Sequence, residues 1–285
     1  MLGAPGSECR SMGAMETLAV REEKLNVCLP STIHPGRHLL HISLPSSFHQ
    51  YPDQRFPVLY LCDGYWNFDL VRALYANLIY DQLVPEFIIV GFSYQGTNPS
   101  FDDLRCRDYT PVLDPRPDSP YRETGGADVF LQVVVDEVIP FMEARYRASP
   151  FRVLGGGSFG GLFTLYAMLA RPGLFAANIA ASPAVRYAEE WLFGYEQSYS
   201  KCGALKARLY LTAAENEWPK HKDGVERFAH QLRERKYPDF DFQFRMIDDE
   251  RHAGATAETY NRGIRFAFRP LVPERPWIAP GRPVE

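Results

Sequence analysis

Residues 151–161 read Phe-Arg-Val-Leu-Gly-Gly-Gly-Ser-Phe-Gly-Gly and run directly into the helix-like stretch Leu162 to Ala170. A short apolar strand, a glycine cluster with one serine at its centre, and a helix together give G-x-S-x-G in the setting that motif requires. A serine on so tight a turn takes up strained backbone angles. Its neighbours must be small, both for the chain to turn and for a substrate to reach the hydroxyl. Gly156, Gly160 and Gly161 meet that need, which makes Ser158 the candidate nucleophile. Gly155 to Gly160 also satisfies G-x-G-x-x-G, the turn of dinucleotide-binding proteins, but such a site wants an acidic residue at the end of the following strand, about 20 residues on. Here that strand ends Ala180-Ala181-Ser182, and the dinucleotide reading fails.

Outward from the turn, further short apolar runs predict buried strands: Pro57 to Cys62, Phe87 to Phe92, Ala176 to Ala181 and Ala207 to Thr212, with Phe151 to Leu154 as the strand of the turn itself. Helical patterns lie between most of them. Phe130, Val134, Val138 and Phe141 recur at helical spacing, and Val225, Phe228, Ala229 and Leu232 give the i, i+3, i+4, i+7 set. The valine triplet Val133 to Val135 is read with that helix, because the run is too long for a strand and leads to Pro140. Strands alternating with helices predict an α/β domain with a mostly parallel, covered central sheet. Phe240, Phe242, Phe244 and Met246 alternate with polar residues and predict a strand near a sheet edge, while residues 18–44 predict antiparallel strands leading in. Two stretches lack clean periodicity, 94–126 and 186–203, and are expected to be irregular rim or cap loops. Residues 1–14 are expected to be a disordered leader, 15–270 a single domain, and 271–285 part of a proline-rich tail that carries five prolines from Pro270 onward.

The 285 residues suffice for one large α/β domain that buries roughly three quarters of its unfolded surface. A net charge of −4 offers no electrostatic case for nucleic acid or an anionic membrane as partner. No run approaches the roughly 18 apolar residues of a membrane span, and the start lacks a secretory signal, so the expected compartment is the cytoplasm. The five cysteines Cys9, Cys28, Cys62, Cys106 and Cys202 lack zinc-ligand spacing and are read as free thiols. No metal or cofactor is expected.

A serine hydroxyl needs a base to take its proton and a carboxylate to orient that base. Of the seven histidines, only His252 follows the last strand in a polar loop, and it is the candidate base. His34, His38 and His41 lie in or before an N-terminal strand and are read as exposed, and His221 and His230 belong with the helix before the last strand. The acid should follow the strand Leu209 to Thr212, where Glu217 is the first choice and Glu215 the alternative; Asp248, Asp249 and Glu250 adjoin His252 too closely in sequence. Acyl chemistry also needs donors aimed at the oxyanion, each worth about 100- to 1000-fold in rate. The backbone N–H of Phe159 is one candidate and that of Tyr65 the other, with Gly64 giving room.

An ordered set of segments resembles the α/β-hydrolase branch that includes esterase D, siderophore esterases, feruloyl esterases and mycolyltransferases. The set is Val58 to Gly64, Arg107-Asp108-Tyr109-Thr110-Pro111, Gly125 to Asp128, Glu137 to Phe141, the serine turn, Ala181-Ser182-Pro183, the Glu215/Glu217 loop, His252 and Asn261 to Arg265. It spans about residues 20–270. The resemblance implies the α/β-hydrolase fold and a Ser158, His252, Glu217 mechanism on a small-molecule ester. This chain carries Gly157 where the branch usually has a larger residue, often histidine, which should widen the pocket beside Ser158. Ala184 to Tyr187 stand where many relatives have tryptophan. Acyl transfer would use the same residues, and a non-catalytic binding role on the same scaffold is the further alternative. The ester itself and the oligomeric state are written in no motif.

Overall fold

The computed structural model describes residues 23–272 except 30, 35–37, 97–98 and 202. The expected leader at 1–14 and the tail beyond 272 lie outside the described residues. The apolar runs form β3 (Phe56–Leu61), β4 (Ile88–Tyr94), β5 (Ala148–Gly157), β6 (Ala177–Ala181) and β7 (Ala207–Ala214); β1 (Glu23–Leu29) and β2 (His38–Leu44) precede them and β8 (Phe240–Ile247) follows. They make one eight-stranded sheet in the order β1-β2-β4-β3-β5-β6-β7-β8. β2 is antiparallel to both β1 and β4, and all other pairs are parallel. This is an α/β-hydrolase sheet.

The central strands are apolar throughout because both of their faces are covered. Leu59 and Leu61 of β3 point to the same side as Ile179 and Tyr210, where α1 (Gly64–Tyr80) and α8 (Ala255–Phe268) add Phe68, Val71, Tyr260 and Ile264. Val58 and Tyr60 point to the other side, with Leu154, Leu209 and side chains of α3 (Ala127–Val133), α5 (Phe159–Ala170) and α7 (Pro219–Arg235). The valine triplet is helical. A five-residue π-turn, Val134–Val138, joins α3 to α4 (Ile139–Tyr146), next to Pro140, which has no N–H to continue an α-helical ladder.

Three expectations differ from the structure. The segment 94–126 contains α2 (Phe101–Tyr109), and 186–203 contains α6 (Tyr187–Ser200), so neither stretch is wholly irregular. The helical period of α6 is masked by aromatic residues on several faces and by a left-handed turn at its start, with φ of 48, 56 and 64° at Ala188, Glu189 and Glu190. Glu196 fastens this helix to α7: its buried carboxylate accepts from Gln231, Arg235 and Tyr237. His38 is not exposed. It is buried with Nε2 at 2.9 Å from Asp108, whose carboxylate also takes a two-pronged contact from Arg107.

Candidate active site

The site is built where β5 gives way to α5. Ser158 has φ 54° and ψ −117°, a conformation that non-glycine residues avoid and that persists only when its surroundings fix it. Here the Ser158 N–H donates to the Ala181 carbonyl at 3.0 Å, and its own carbonyl accepts from Leu162 and Ala184, each at 2.9 Å. The flanking glycines do different work. A Cβ on Gly156 would stand 2.2 Å from the carbonyl oxygen of Gly160, and one on Gly160 would stand 2.6 Å from Cβ of Cys62. A Cβ on Gly157 would meet nothing nearer than 3.6 Å, and Gly157 lines the cleft beside Ser158. Glycine is therefore required at 156 and 160 by close packing, and at 157 it leaves open space.

His252 lies in the turn between β8 and α8, and the loop between β7 and α7 holds that turn. The Glu215 carboxylate accepts the Asp249 N–H at 2.7 Å, and the Asn216 N–H donates to the Glu250 carbonyl at 2.9 Å. Glu217, one step before the Trp218–Pro219 start of α7, then meets His252: Nδ1 of the imidazole hydrogen-bonds Oε1 of the buried carboxylate. The structure thus brings Glu217 to His252 and sets Glu215 to bracing the loop. Burial pushes the Glu217 carboxyl upward, but the hydrogen bond from His252 and the charge of His221 outweigh it and hold the group below the ordinary carboxylate value.

Ser158 and His252 line one cleft of about 240 Å³, with Asp63, Tyr65, Trp66, Arg105 and Thr256 among its other walls. Phe159 and Gly64 are the first residues of α5 and α1, and Tyr65 is the second of α1. N–H groups in a first helical turn have no partner within the helix, so the cleft has donors at two helix starts. Tyr65 borders the cleft. A Cβ on Gly64 would come within 2.6 Å of the Gly91 backbone, so this glycine lets α1 pack against β4.

The sequence reading passed over several residues. Arg105 of α2 holds both Asp63 carboxylate oxygens, at 2.7 and 2.8 Å, and its guanidinium lies 5.4 Å from the Phe159 ring centre. Its signal in the sequence was its place just before Arg107-Asp108-Tyr109-Thr110-Pro111. His221 of α7 has Nε2 at 3.0 Å from the Ser182 carbonyl and 3.7 Å from Glu217, and its ring meets that of His252 edge-on at 5.2 Å. Burial lowers its pKa below the usual histidine value. Trp66 and Trp218 are 70% and 66% exposed; Trp66 lines the cleft and the Trp218 ring centre is 5.2 Å from that of His252. Cys28, Cys62 and Cys106 are free thiols. Among the described residues, no helix is long and apolar enough to cross a membrane.

A nucleophile-type turn at the end of a central parallel strand, with an acid–histidine pair beyond later strands, defines a serine hydrolase of the α/β-hydrolase fold. The chain belongs to the family described as "Putative esterase", whose model matches residues 31–240. It is a carboxylic ester hydrolase of that family. It is 28% identical over 237 residues, covering 77% of this chain and 81% of the relative, to the ferri-bacillibactin esterase BesA of Bacillus subtilis. It is also 32% identical over 154 residues to a siderophore triacetylfusarinine C esterase of Aspergillus fumigatus, covering 52% of this chain and 51% of that one. Among solved structures, an IroE-like serine hydrolase from Shewanella oneidensis superposes with a TM-score of 0.80 at 26% identity, covering 88% of this chain and 82% of that chain.

Proposed function

We propose that this chain hydrolyses siderophore-type esters through Ser158, His252 and Glu217. The observation that carries the reading is the shared cleft: a strained serine and a histidine line it together, and that histidine's far nitrogen is fixed on a buried carboxylate. With Nδ1–H donating to Glu217, Nε2 of His252 is the basic nitrogen. It takes the Ser158 proton as Oγ attacks the ester carbonyl and then gives it to the leaving alcohol. N–H groups of Phe159 and Tyr65 receive the oxyanion, and water releases the acyl group by the same path in reverse. Glu217 stays ionised and stabilises the imidazolium. The substrate class rests on the relatives named above and on the cleft's own rim. Exposed indoles are uncommon and serve as stacking surfaces for planar groups, and Trp66 and Trp218 stand at the cleft and beside His252. Gly157 leaves room beside Ser158 for a bulky acyl group.

The test is a substrate panel of ferri-bacillibactin, triacetylfusarinine C, methyl ferulate and p-nitrophenyl acetate, offered to the wild type, Ser158→Ala and the double variant Trp66→Ala/Trp218→Ala. We expect kcat/KM to be highest for a siderophore and to vanish in Ser158→Ala. The double variant should lose about tenfold or more on the siderophore, corresponding to one lost stacking contact, and little on p-nitrophenyl acetate. Preference for the small ester in the wild type would refute the substrate class, and full activity of Ser158→Ala would refute the mechanism.

A further inference from the structure

Among the described residues, two groups of three histidine or carboxylate side chains keep their candidate donor atoms within 4.8 Å of one another. In the first, His34, His38 and Asp108, the carboxylate is already occupied: Arg107 holds its two oxygens at 2.7 and 3.1 Å, and a cation would compete with that guanidinium. The second is Glu217, His221 and His252. Its hydrogen-bond partners include no arginine or lysine, and the Glu217 carboxylate is fully buried between the two imidazoles.

We propose that Glu217, His221 and His252 form a transition-metal site for divalent ions of the zinc, copper and cobalt class, and that filling it switches the esterase off. Two imidazoles and a carboxylate are the donor set that such ions select. A tetrahedral ion with bonds of about 2.1 Å places its ligand atoms about 3.4 Å apart. Nε2 of His221 and Oε1 of Glu217 are already 3.7 Å apart, an i, i+4 pair at the start of α7. Two hydrogen bonds have to open, His252 Nδ1 to Glu217 and His221 Nε2 to the Ser182 carbonyl. The His252 and His221 side chains keep 25% and 18% of their surface exposed, which gives an ion a route in, while the Glu217 carboxylate supplies a buried charge. Water completes the fourth position.

Coordination exchanges tautomers without net loss of protons. The metal bonds to Nδ1 of His252, whose proton moves to Nε2 by way of solvent; it bonds to Nε2 of His221, whose proton moves to Nδ1 and leaves the Ser182 carbonyl. With Nε2 protonated, His252 can no longer accept from Ser158. The inhibition rests on the reading of His252 as base given above, whereas the metal binding does not.

The experiment titrates Co2+ into chelator-treated wild type, Ser158→Ala, His221→Gln and His221→Phe, with folding of each checked by circular dichroism. The intense visible bands of four-coordinate cobalt, saturating at one ion per chain and displaced by Zn2+, should appear in the wild type and in Ser158→Ala and be absent from both His221 variants. In parallel, Zn2+ should inhibit p-nitrophenyl acetate hydrolysis reversibly by chelator, and folded His221→Gln should need at least about tenfold more Zn2+ for the same inhibition. Unchanged cobalt spectra in the folded His221 variants, or no spectrum at all in the wild type, would overturn the site. Cobalt bound through His221 with turnover intact would keep the metal site and remove His252 from the role of base, so the two claims fail separately.

Discussion

The residue that does most to define this site chemically is Glu217. Both candidate acids sit in one loop, two positions apart; the sequence ranks Glu217 first and Glu215 second without showing which carboxylate reaches the imidazole. The structure separates them by hydrogen bonding: Glu217 is buried against His252, and Glu215 accepts the Asp249 N–H. Glu217→Gln should lower kcat by roughly 10²- to 10⁴-fold, since a neutral amide neither fixes the tautomer nor stabilises the imidazolium. Glu215→Gln keeps a carbonyl oxygen for the Asp249 N–H and should stay within a few-fold of wild type; steady-state kinetics on one ester reads both, and the reverse ranking would exchange their roles. The glycines divide in the same way. Gly157→Ala has ordinary van der Waals room and should leave the thermal midpoint nearly unchanged, whereas Gly156→Ala drives a Cβ into the Gly160 carbonyl and should cost about 3 kcal/mol or more in denaturant unfolding. The motif already asks for glycine at 156 and 160 and leaves 157 open; what it does not record is the contact behind each requirement, the Gly160 carbonyl for Gly156 and the Cys62 side chain for Gly160.

At the scale of elements, the strands and the helices with one apolar stripe were legible because burial on two faces or on one face imposes its own periodicity. The elements that periodicity missed are tied down by polar groups. α6 hides its helical repeat among aromatics and is fixed by Glu196, and α2 is joined to β2 through the buried Asp108. A sequence shows the charged letters but not the pairing, which is why His38 reads as an exposed strand residue until Asp108 is placed against it. Burial alone would raise the Asp108 carboxyl, yet the hydrogen bonds from His38 and Arg107 hold it below its ordinary value. A depressed carboxyl contributes stability that is present above its unfolded pKa, 3.8 for an ordinary aspartate, and lost as pH falls through the lower folded value. Asp108→Asn should therefore cost about 3–5 kcal/mol near neutral pH, leaving Arg107 uncompensated, and the gap from wild type should narrow below pH 3.8. A gap independent of pH in denaturant titrations would show that packing, not charge, holds α2 in place.

Across the whole molecule, chemistry gathers at the carboxyl ends of the parallel strands, where crossovers leave helix starts and loops facing one cleft. Ser158 follows β5, Asp63 and the α1 start follow β3, Glu217 follows β7 and His252 follows β8. That order was readable from the strand–helix alternation, because a right-handed parallel sheet sends successive loops to the same edge. The rim was not readable. Trp66, Arg105, Trp218 and His221 come together only through the packing of α1, α2 and α7, and no local pattern marks an indole left in solvent. The central claim is that Ser158 is the nucleophile activated by His252. It is tested most directly by reacting wild type, Ser158→Ala and His252→Ala with a fluorophosphonate and mapping the adduct by mass spectrometry. The account predicts one adduct, on Ser158, absent from Ser158→Ala and formed in His252→Ala more slowly by about 10³-fold or more. An adduct on any other residue, or labelling of His252→Ala at the wild-type rate, would contradict it.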